Sequence, residues 1–280
     1  MSRAASDPNH SIELVRPVAP RPKISHAIFD FDGTLSWLRH GWPQIMRDLF
    51  REHLAPGPGE SETRFGELMI NEILSLNGKP TIHQMIRLGE LASERGVPVP
   101  DPEALRAEYQ KRLDDKISAR SMLIRGNNVK RDHYAVHGVR PLLDSLHRRG
   151  VKMYVLSGTV ETRVREEAEL LDLARYFDGR IHGSPADGLT PFSKKQVIGR
   201  VISEEKISGE QLLSFGDGPV EIANTKEVGG LAVAVASNEE ANGSGLMDPW
   251  KRHQLLEAGA DFAIADYRDA EALLNFIFGK

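Results

Sequence analysis

The sequence contains no cysteine among its 280 residues. This absence excludes disulfide bonds, a thiol nucleophile and zinc–thiolate sites, so any metal ion must be held by oxygen or imidazole ligands. No stretch approaches the ~18 consecutive apolar residues of a membrane-spanning helix. The first residues also lack the apolar run of about 7 to 15 residues that a signal peptide requires. We therefore expect a cytoplasmic protein that does not act at a membrane.

A basic charge excess is missing as well. The chain has 36 lysines and arginines against 40 aspartates and glutamates, which gives a formal net charge of -4. Proteins that bind nucleic acid usually present many basic side chains to its phosphates, so nucleic acid is not an expected partner. Hydrophobic residues make up 40% and charged residues 27%, close to the averages of soluble globular proteins. The length favours two domains, or one domain with a large insertion.

Short apolar runs alternate with segments of helical spacing along most of the chain. Five runs have the composition of buried strands, namely residues 24–33, 151–158, 211–218, 230–237 and 260–266. Helical spacing is present in residues 139–150, 160–173, 193–205, 219–230 and 267–278. The alternation predicts an α/β fold, a Rossmann-like doubly wound parallel sheet whose ligands bind beyond the carboxyl ends of the strands. Ahead of the first strand, Pro17, Pro20 and Pro22 predict a flexible tail over residues 1–22.

Residues 36–135 break this alternation. Four helical segments, at residues 41–54, 65–76, 81–96 and 102–117, follow one another without a convincing strand. The segment leaves the predicted sheet directly after the first strand and returns before the second. We therefore predict an all-helical cap domain over residues 36–135 that can act as a lid, and an α/β core made of residues 23–35 and 136–280.

Two aspartates follow the first predicted strand. Asp30 and Asp32 are two positions apart, so their side chains share a face of extended chain, and Gly33 allows the chain to turn away. Two acids held this close favour a bound cation and let one carboxylate stay ionised while the other carries a proton. Thr34 can fix the turn by bonding a carboxylate oxygen. An isolated pair would indicate only a strand end, but the segment DFDGTL (30–35) after an apolar strand resembles the first motif of the haloacid dehalogenase (HAD) superfamily, whose members mostly hydrolyse phosphate esters.

Two further segments are similar to the second and third motifs of that superfamily. In LSGT (156–159), the resemblance implies that the Ser157 hydroxyl and the Gly158 amide bind phosphoryl oxygens. Thr34 of the first motif is likewise predicted to bind phosphate. The third motif requires a lysine at the start of a helix, which neutralises phosphate and holds the nucleophile, and Lys194 and Lys195 are both available. Lys194 is preferred because the next apolar residues lie three and four positions after it, on one helix face.

The segment FGDGPVEI (215–222) is similar to the fourth motif of that superfamily. Asp217 follows a predicted strand and Glu221 lies one helical turn later, so their carboxylates can meet. Hard oxygen ligands suit Mg²⁺. The superfamily commonly has aspartate at the position of Glu221, so Glu221 is either a direct ligand or a residue that orients metal-bound water. The resemblance also implies that Asp30 and the backbone carbonyl of Asp32 bind the metal.

The resemblance, which extends to phosphoglycolate-phosphatase-like members, implies a Mg²⁺-dependent phosphatase. Asp30 would form an aspartyl-phosphate and Asp32 would act as general acid and base on a small phosphorylated metabolite, such as a sugar phosphate or a phosphoglycolate-like acid. Trp37, Arg39 and His40 follow the nucleophile loop and are predicted to contact the leaving group. Two alternatives remain open: a phosphomutase of the β-phosphoglucomutase type, and a catalytically silent binding protein whose cap is an interaction surface.

Overall fold

The structure is a computed structural model, and it describes residues 11–76, 80–186 and 192–280. The chain divides into two compact units. One contains the residues up to Leu38 together with Ile124–Lys280, and the other contains Arg39–Leu123. All strands formed by the described residues belong to the first unit, and the described residues of the second form helices and connecting turns. No helix of the described ranges combines the length and the apolar character needed to cross a membrane.

The first unit is built on a seven-stranded sheet. Its strands are β1 (Ile12–Leu14), β2 (His26–Phe29), β3 (Lys152–Val160), β4 (Ile181–Ser184), β5 (Leu212–Gly216), β6 (Leu231–Val235) and β7 (Phe262–Ile264). They lie in the order β1-β7-β6-β5-β2-β3-β4. Every neighbouring pair is parallel except β1 and β7, which are antiparallel. The predicted mostly parallel sheet is confirmed.

The second unit is a set of helices around its own apolar core. The helices are α1 (Trp42–His53), α2 (Glu62–Ser75), α3 (Ile82–Glu94) and α4 (Pro102–Arg125), the last of which continues into the first unit. Buried residues recur three or four positions apart on each helix, for example Phe65, Met69 and Ile73 on α2, and these faces pack into one cluster. The four predicted helical segments correspond to α1–α4. The interpretation of this unit as a cap stays a prediction.

Six helices cover the two faces of the sheet. They are α5 (Val139–Arg148), α6 (Glu161–Leu170), α7 (Lys194–Glu204), α8 (Pro219–Glu227), α9 (Pro249–Glu257) and α10 (Ala270–Phe278). Residues of α5, α6 and α10 pack with Phe29 on one face, whereas α7 packs with Ile28 on the other. The apolar residues of α8 and α9 pack against β6 and β7 on a separate patch of alanines. Successive residues of β2 thus serve opposite faces, and both faces are buried, as in a doubly wound fold.

Three elements differ from the sequence-based expectation. Part of the predicted tail forms β1, in which Ile12 pairs with Ile264 and Leu14 pairs with Phe262; residues 1–10 of that tail lie outside the described residues. β4 and α9 were not predicted. β1 and β4 are three and four residues long, and such short segments are stabilised by pairing with a neighbouring strand and carry little periodicity of their own.

Candidate active site

The candidate site lies where the carboxyl ends of β2 and β5 meet. The two strands are parallel neighbours, with Phe29 opposite Phe215. Asp30 follows β2 directly, and its backbone N–H donates to the Phe215 carbonyl at 3.0 Å. Asp217 follows β5 directly. Parallel pairing therefore brings two aspartates that are far apart in sequence to the same edge of the sheet.

Three carboxylates converge at this edge. Asp30, Asp217 and Glu221 each offer one oxygen, and these oxygens lie within 4.8 Å of one another. Glu221 is the third residue of α8, and its Oε1 accepts the Gly218 N–H at 2.6 Å. A Cβ added to Gly216 would lie 2.3 Å from the Glu221 Cγ. Gly216, which has no Cβ, therefore leaves space for the Glu221 side chain, which is longer than the aspartate common at this position in the superfamily.

The turn after β2 fits closely around Asp217. Gly33 has φ +74°, and a Cβ placed on it would lie 2.0 Å from Asp217 Oδ2. Both the left-handed backbone and the close approach require glycine here. The fully buried Thr34 donates through Oγ1 to Asp217 Oδ1 at 3.4 Å. Thr34 thus contacts a carboxylate, and that carboxylate follows β5 rather than β2. Its predicted role in phosphate binding stays a prediction.

Lys194 joins two of the three carboxylates. It is the first residue of α7, and its Nζ donates to Asp30 Oδ2 at 2.7 Å and to Glu221 Oε2 at 3.1 Å. The other oxygen of Asp30, Oδ1, accepts the Phe31 N–H at 2.7 Å. Lys195, the alternative in the sequence, instead donates to Glu227 at the surface. The structure brings Lys194 to the acids and leaves Lys195 outside.

Asp32 lies beside the end of β3. Its Oδ2 accepts a hydrogen bond from Thr159 Oγ1 at 2.9 Å. The Thr159 N–H donates in turn to the Oγ of Ser157, which is 1% exposed. The Asp32 carboxylate is not among the three that converge, so only its backbone carbonyl stays a candidate ligand. Thr159 was not singled out from the sequence, although it is the last residue of the LSGT motif.

Gly158 occupies a position slightly different from the predicted one. The sequence predicts that β3 ends at Gly158 and that a helix begins at residue 160. In the structure β3 continues to Val160, with a shift in register between Leu156 and Val160, and α6 begins at Glu161. The Gly158 carbonyl accepts a hydrogen bond from Ser184 Oγ at 2.7 Å. The irregular strand end, rather than a helix start, therefore sets the conformation around Ser157.

A second lysine reaches the site from α9. Lys251 Nζ donates to Asp217 Oδ2 at 2.9 Å and also to Glu239. It lies 5.6 Å from the centre of the Trp37 ring. Trp37, predicted to contact the leaving group, is 4% exposed. Sequence reasoning missed Lys251 and Glu239, since neither belongs to a motif.

The remaining predicted substrate residues begin the second compact unit. Arg39 is buried and His40 is half-buried. Their predicted contact with a leaving group stays a prediction.

Burial and charge set the protonation of the site. Burial raises the pKa of Asp30 to about 6, with Lys194 acting against this rise and Glu221 adding to it. Burial likewise raises the pKa of Asp217, and Lys251 opposes the rise. Burial acts to lower the pKa values of the two lysines, but the neighbouring carboxylates outweigh it, so both pKa values lie above the ordinary lysine value. Both lysines are therefore cationic at neutral pH.

Known proteins show the family to which the chain belongs. A family model described as haloacid dehalogenase-like hydrolase matches residues 24–229, which is more than half of the chain. No curated protein matches the chain.

Solved structures with the same fold cover nearly the whole chain. A conserved haloacid dehalogenase-like protein of unknown function from Agrobacterium tumefaciens str. C58 has a TM-score of 0.61 at 17% identity, covering 90% of this chain and 97% of its own. A predicted phosphoglycolate phosphatase from Haemophilus somnus 129PT has a TM-score of 0.60 at 12% identity, with coverage of 90% and 98%. A HAD family hydrolase from Deinococcus radiodurans R1, with bound phosphate and sodium, has a TM-score of 0.59 at 17% identity, with coverage of 91% and 96%. The family match and the fold together show that the chain belongs to the haloacid dehalogenase-like hydrolases.

Proposed function

We propose that this hydrolase is a Mg²⁺-dependent phosphatase that forms an aspartyl-phosphate on Asp30. The observation that carries the proposal is the convergence of Asp30, Asp217 and Glu221 at one strand edge, with Lys194 bonded to the first and the third. A nucleophilic carboxylate, a cation site and a fixed positive charge are the parts that phosphoryl transfer requires.

The residues present fit a divalent cation. The ion pairs of the site join four carboxylates (Asp30, Asp217, Glu221 and Glu239) to two lysines (Lys194 and Lys251). When all are ionised, four negative and two positive charges leave an excess of two negative charges, which a divalent ion would balance. Carboxylate oxygens are the ligands that Mg²⁺ prefers, usually alongside water and substrate phosphate. Asp30, Asp217, Glu221 and the Asp32 carbonyl would hold it, and when bound it would offset negative charge on the phosphoryl group.

Two hydrogen bonds fix the orientation of the Asp30 carboxylate, the proposed nucleophile. The Phe31 N–H and the Lys194 ammonium each fix one of its oxygens. In the first step an oxygen of Asp30 forms a bond to phosphorus while the bond from phosphorus to the leaving-group oxygen breaks. Asp32, oriented by Thr159, gives its proton to that leaving oxygen. The products are an aspartyl-phosphate on Asp30 and the free alcohol.

The second step returns the enzyme to its starting state. Asp32, now ionised, takes a proton from a water molecule whose oxygen attacks phosphorus, and the bond between phosphorus and Asp30 breaks. Inorganic phosphate leaves. The Ser157 Oγ accepts the Thr159 N–H, which leaves its hydroxyl proton available for a phosphoryl oxygen. We assign Ser157, Gly158 and Lys194 to phosphate binding, and the contact made by Thr34 supports a role in orienting Asp217.

The substrate is proposed to be a small phosphorylated metabolite, such as a sugar phosphate or a phosphoglycolate-like acid. The proposed catalytic, metal-binding and phosphate-binding residues contact only the phosphoryl group and the metal. The choice of substrate is therefore assigned to the helical unit and to Trp37, Arg39 and His40.

Phosphate release from a panel of phosphorylated metabolites, measured with Mg²⁺ and with a chelator, tests the proposal. Asp30→Asn should abolish turnover and labelling by a ³²P-substrate while leaving the fold intact, because the amide keeps the shape and one hydrogen-bond acceptor of the carboxylate but is no nucleophile; circular dichroism checks the fold. Asp115→Asn, at an exposed position of α4, is the matched control and should keep full activity. Near-normal turnover by Asp30→Asn would contradict the assignment. Interconversion of sugar phosphates without phosphate release would favour the mutase.

A further inference from the structure

Lys251 is fixed at both its backbone and its ammonium group. Asp248 precedes α9 as its N-cap, and its Oδ1 accepts the Lys251 N–H at 2.8 Å. The Lys251 side chain is only 10% exposed. Its Nζ is held between Asp217 and Glu239 and lies over the Trp37 ring. A buried lysine restrained in this way has lost the rotamer freedom of a surface lysine, which a purely solubilising role would not require.

Another lysine–aspartate pair in the same unit shows what a structural pair looks like. Lys226 at the end of α8 donates to both oxygens of Asp261, at 2.8 and 2.7 Å, and Asp261 also accepts the Ala232 N–H. That pair joins the end of α8 to the residue that precedes β7, and Asp261 in turn bonds β6. Lys251 differs because the carboxylate it holds, Asp217, is one of the three that converge on the proposed cation site.

The two oxygens of Asp217 have separate partners. Oδ2 accepts from Lys251 at 2.9 Å and lies against Gly33, whereas Oδ1 accepts from Thr34 at a longer 3.4 Å. Without Lys251, Asp217 would face the negative charges of Asp30 and Glu239, and its one remaining side-chain hydrogen bond among the described residues would be the long one from Thr34. Repulsion by these two carboxylates would turn the Asp217 carboxylate away from Asp30 and Glu221.

We propose that Lys251, held by Glu239 and Trp37, is a positioning residue that fixes the Asp217 carboxylate for the divalent cation. This inference rests on the proposed function, since it assigns Asp217 to metal binding. The positive charge of Lys251 would by itself repel a cation. Glu239 balances that charge, so Lys251 acts through the direction of its hydrogen bond. Residues that orient metal ligands in this way typically contribute about 10-fold to 100-fold in metal affinity.

The test measures metal binding without substrate. Mn²⁺ is the probe, and its binding is followed by loss of the free-ion electron paramagnetic resonance signal, with Mg²⁺ as competitor. Lys251→Met keeps much of the apolar stem and removes the ammonium group, and it should raise the Kd for Mn²⁺ about tenfold or more. Glu239→Gln should raise it in the same direction, because Lys251 is then less restrained and its charge is unbalanced. Lys226→Met is the matched control and should change the Kd less than twofold.

Thermal midpoints of all variants separate positioning from lost stability. A Kd for Lys251→Met that equals or falls below the parent value overturns the inference, because the lysine would then be structural or would compete with the cation. If Lys251→Met does not fold, Glu239→Gln decides, and an unchanged Kd overturns the inference. Parent protein that binds Mn²⁺ and releases phosphate, with variants that bind equally well, refutes only the role of Lys251. Parent protein that binds no Mn²⁺ saturably refutes the proposed function as well.

Discussion

Gly33→Ala tests how tightly the turn after β2 is built around Asp217. An alanine Cβ at this position would lie 2.0 Å from Asp217 Oδ2 and 2.6 Å from its Cγ. Ordinary contact begins near 3.4 Å, so the carboxylate would have to move by about 1.4 Å or the turn would have to open. Either change separates Asp217 from Lys251 and from the converging carboxylates.

The expected cost has two parts. Alanine at φ +74° costs about 1 kcal/mol of backbone energy. Loss of the buried, charge-assisted hydrogen bond between Lys251 and Asp217 adds about 2 kcal/mol, so unfolding should become easier by about 3 kcal/mol in all. Turnover should fall about 100-fold or more, since a displacement of about 1 Å in a catalytic group can have that effect.

Gly150→Ala supplies the matched control. Gly150 follows α5 with φ +71°, and no atom lies within 4 Å of an added Cβ, so this change carries the backbone cost alone. Urea unfolding and phosphate release are measured for both variants under the same conditions. We expect Gly150→Ala to lose about 1 kcal/mol of stability and no activity. Equal stability losses in the two variants, with turnover by Gly33→Ala within a few-fold of the parent, would refute the reasoning.

Two further predictions use other contacts of the core. Lys194→Met should reduce turnover by orders of magnitude and Lys195→Met should have little effect, because only Lys194 reaches Asp30; comparable kinetics for the two variants would contradict this. Glu205 lies away from the site, where its hydrogen bonds to Lys152 and Tyr154 lower its pKa from 4.5 to about 2. A carboxyl whose pKa is lowered on folding contributes stability above its unfolded pKa and loses it as the pH falls, so Glu205→Gln should cost about 1 kcal/mol at pH 7 and progressively less between pH 4.5 and pH 2. A stability difference that stays constant across that range in urea titrations would show that the charge is not responsible.

Much of the fold and the identities of several candidate residues could be predicted from sequence because the signals are local. The apolar runs that became β2, β3, β5, β6 and β7 carry their own strand pattern, and the helices between them carry the helical one. Asp30 and Asp217 could be named because each directly follows such a strand within a segment that resembles a family motif. Parallel strands then place both residues at one edge, whatever the details of packing.

The remaining elements depend on partners that are distant in the chain. Ile12–Leu14 pairs with the edge of β7, and its three residues are too few for their alternation to be recognised as a strand in sequence. The preference for Lys194 over Lys195 in sequence rested on helix phase, and only the structure pairs Lys194 with Asp30.

Sequence alone therefore determined which strand ends carry acidic residues and the order of those strands along the chain, since both features depend only on short contiguous segments. Tertiary structure alone decided which groups surround Asp217. Lys251 lies in a short helix between a tryptophan and an arginine, and in sequence it is indistinguishable from a solvated charge. It becomes part of the site because α9 packs beside β6 and directs its ammonium group to a carboxylate 34 positions earlier in the chain. The physical reason is that electrostatic contacts depend on distance in space, and that distance is set by packing.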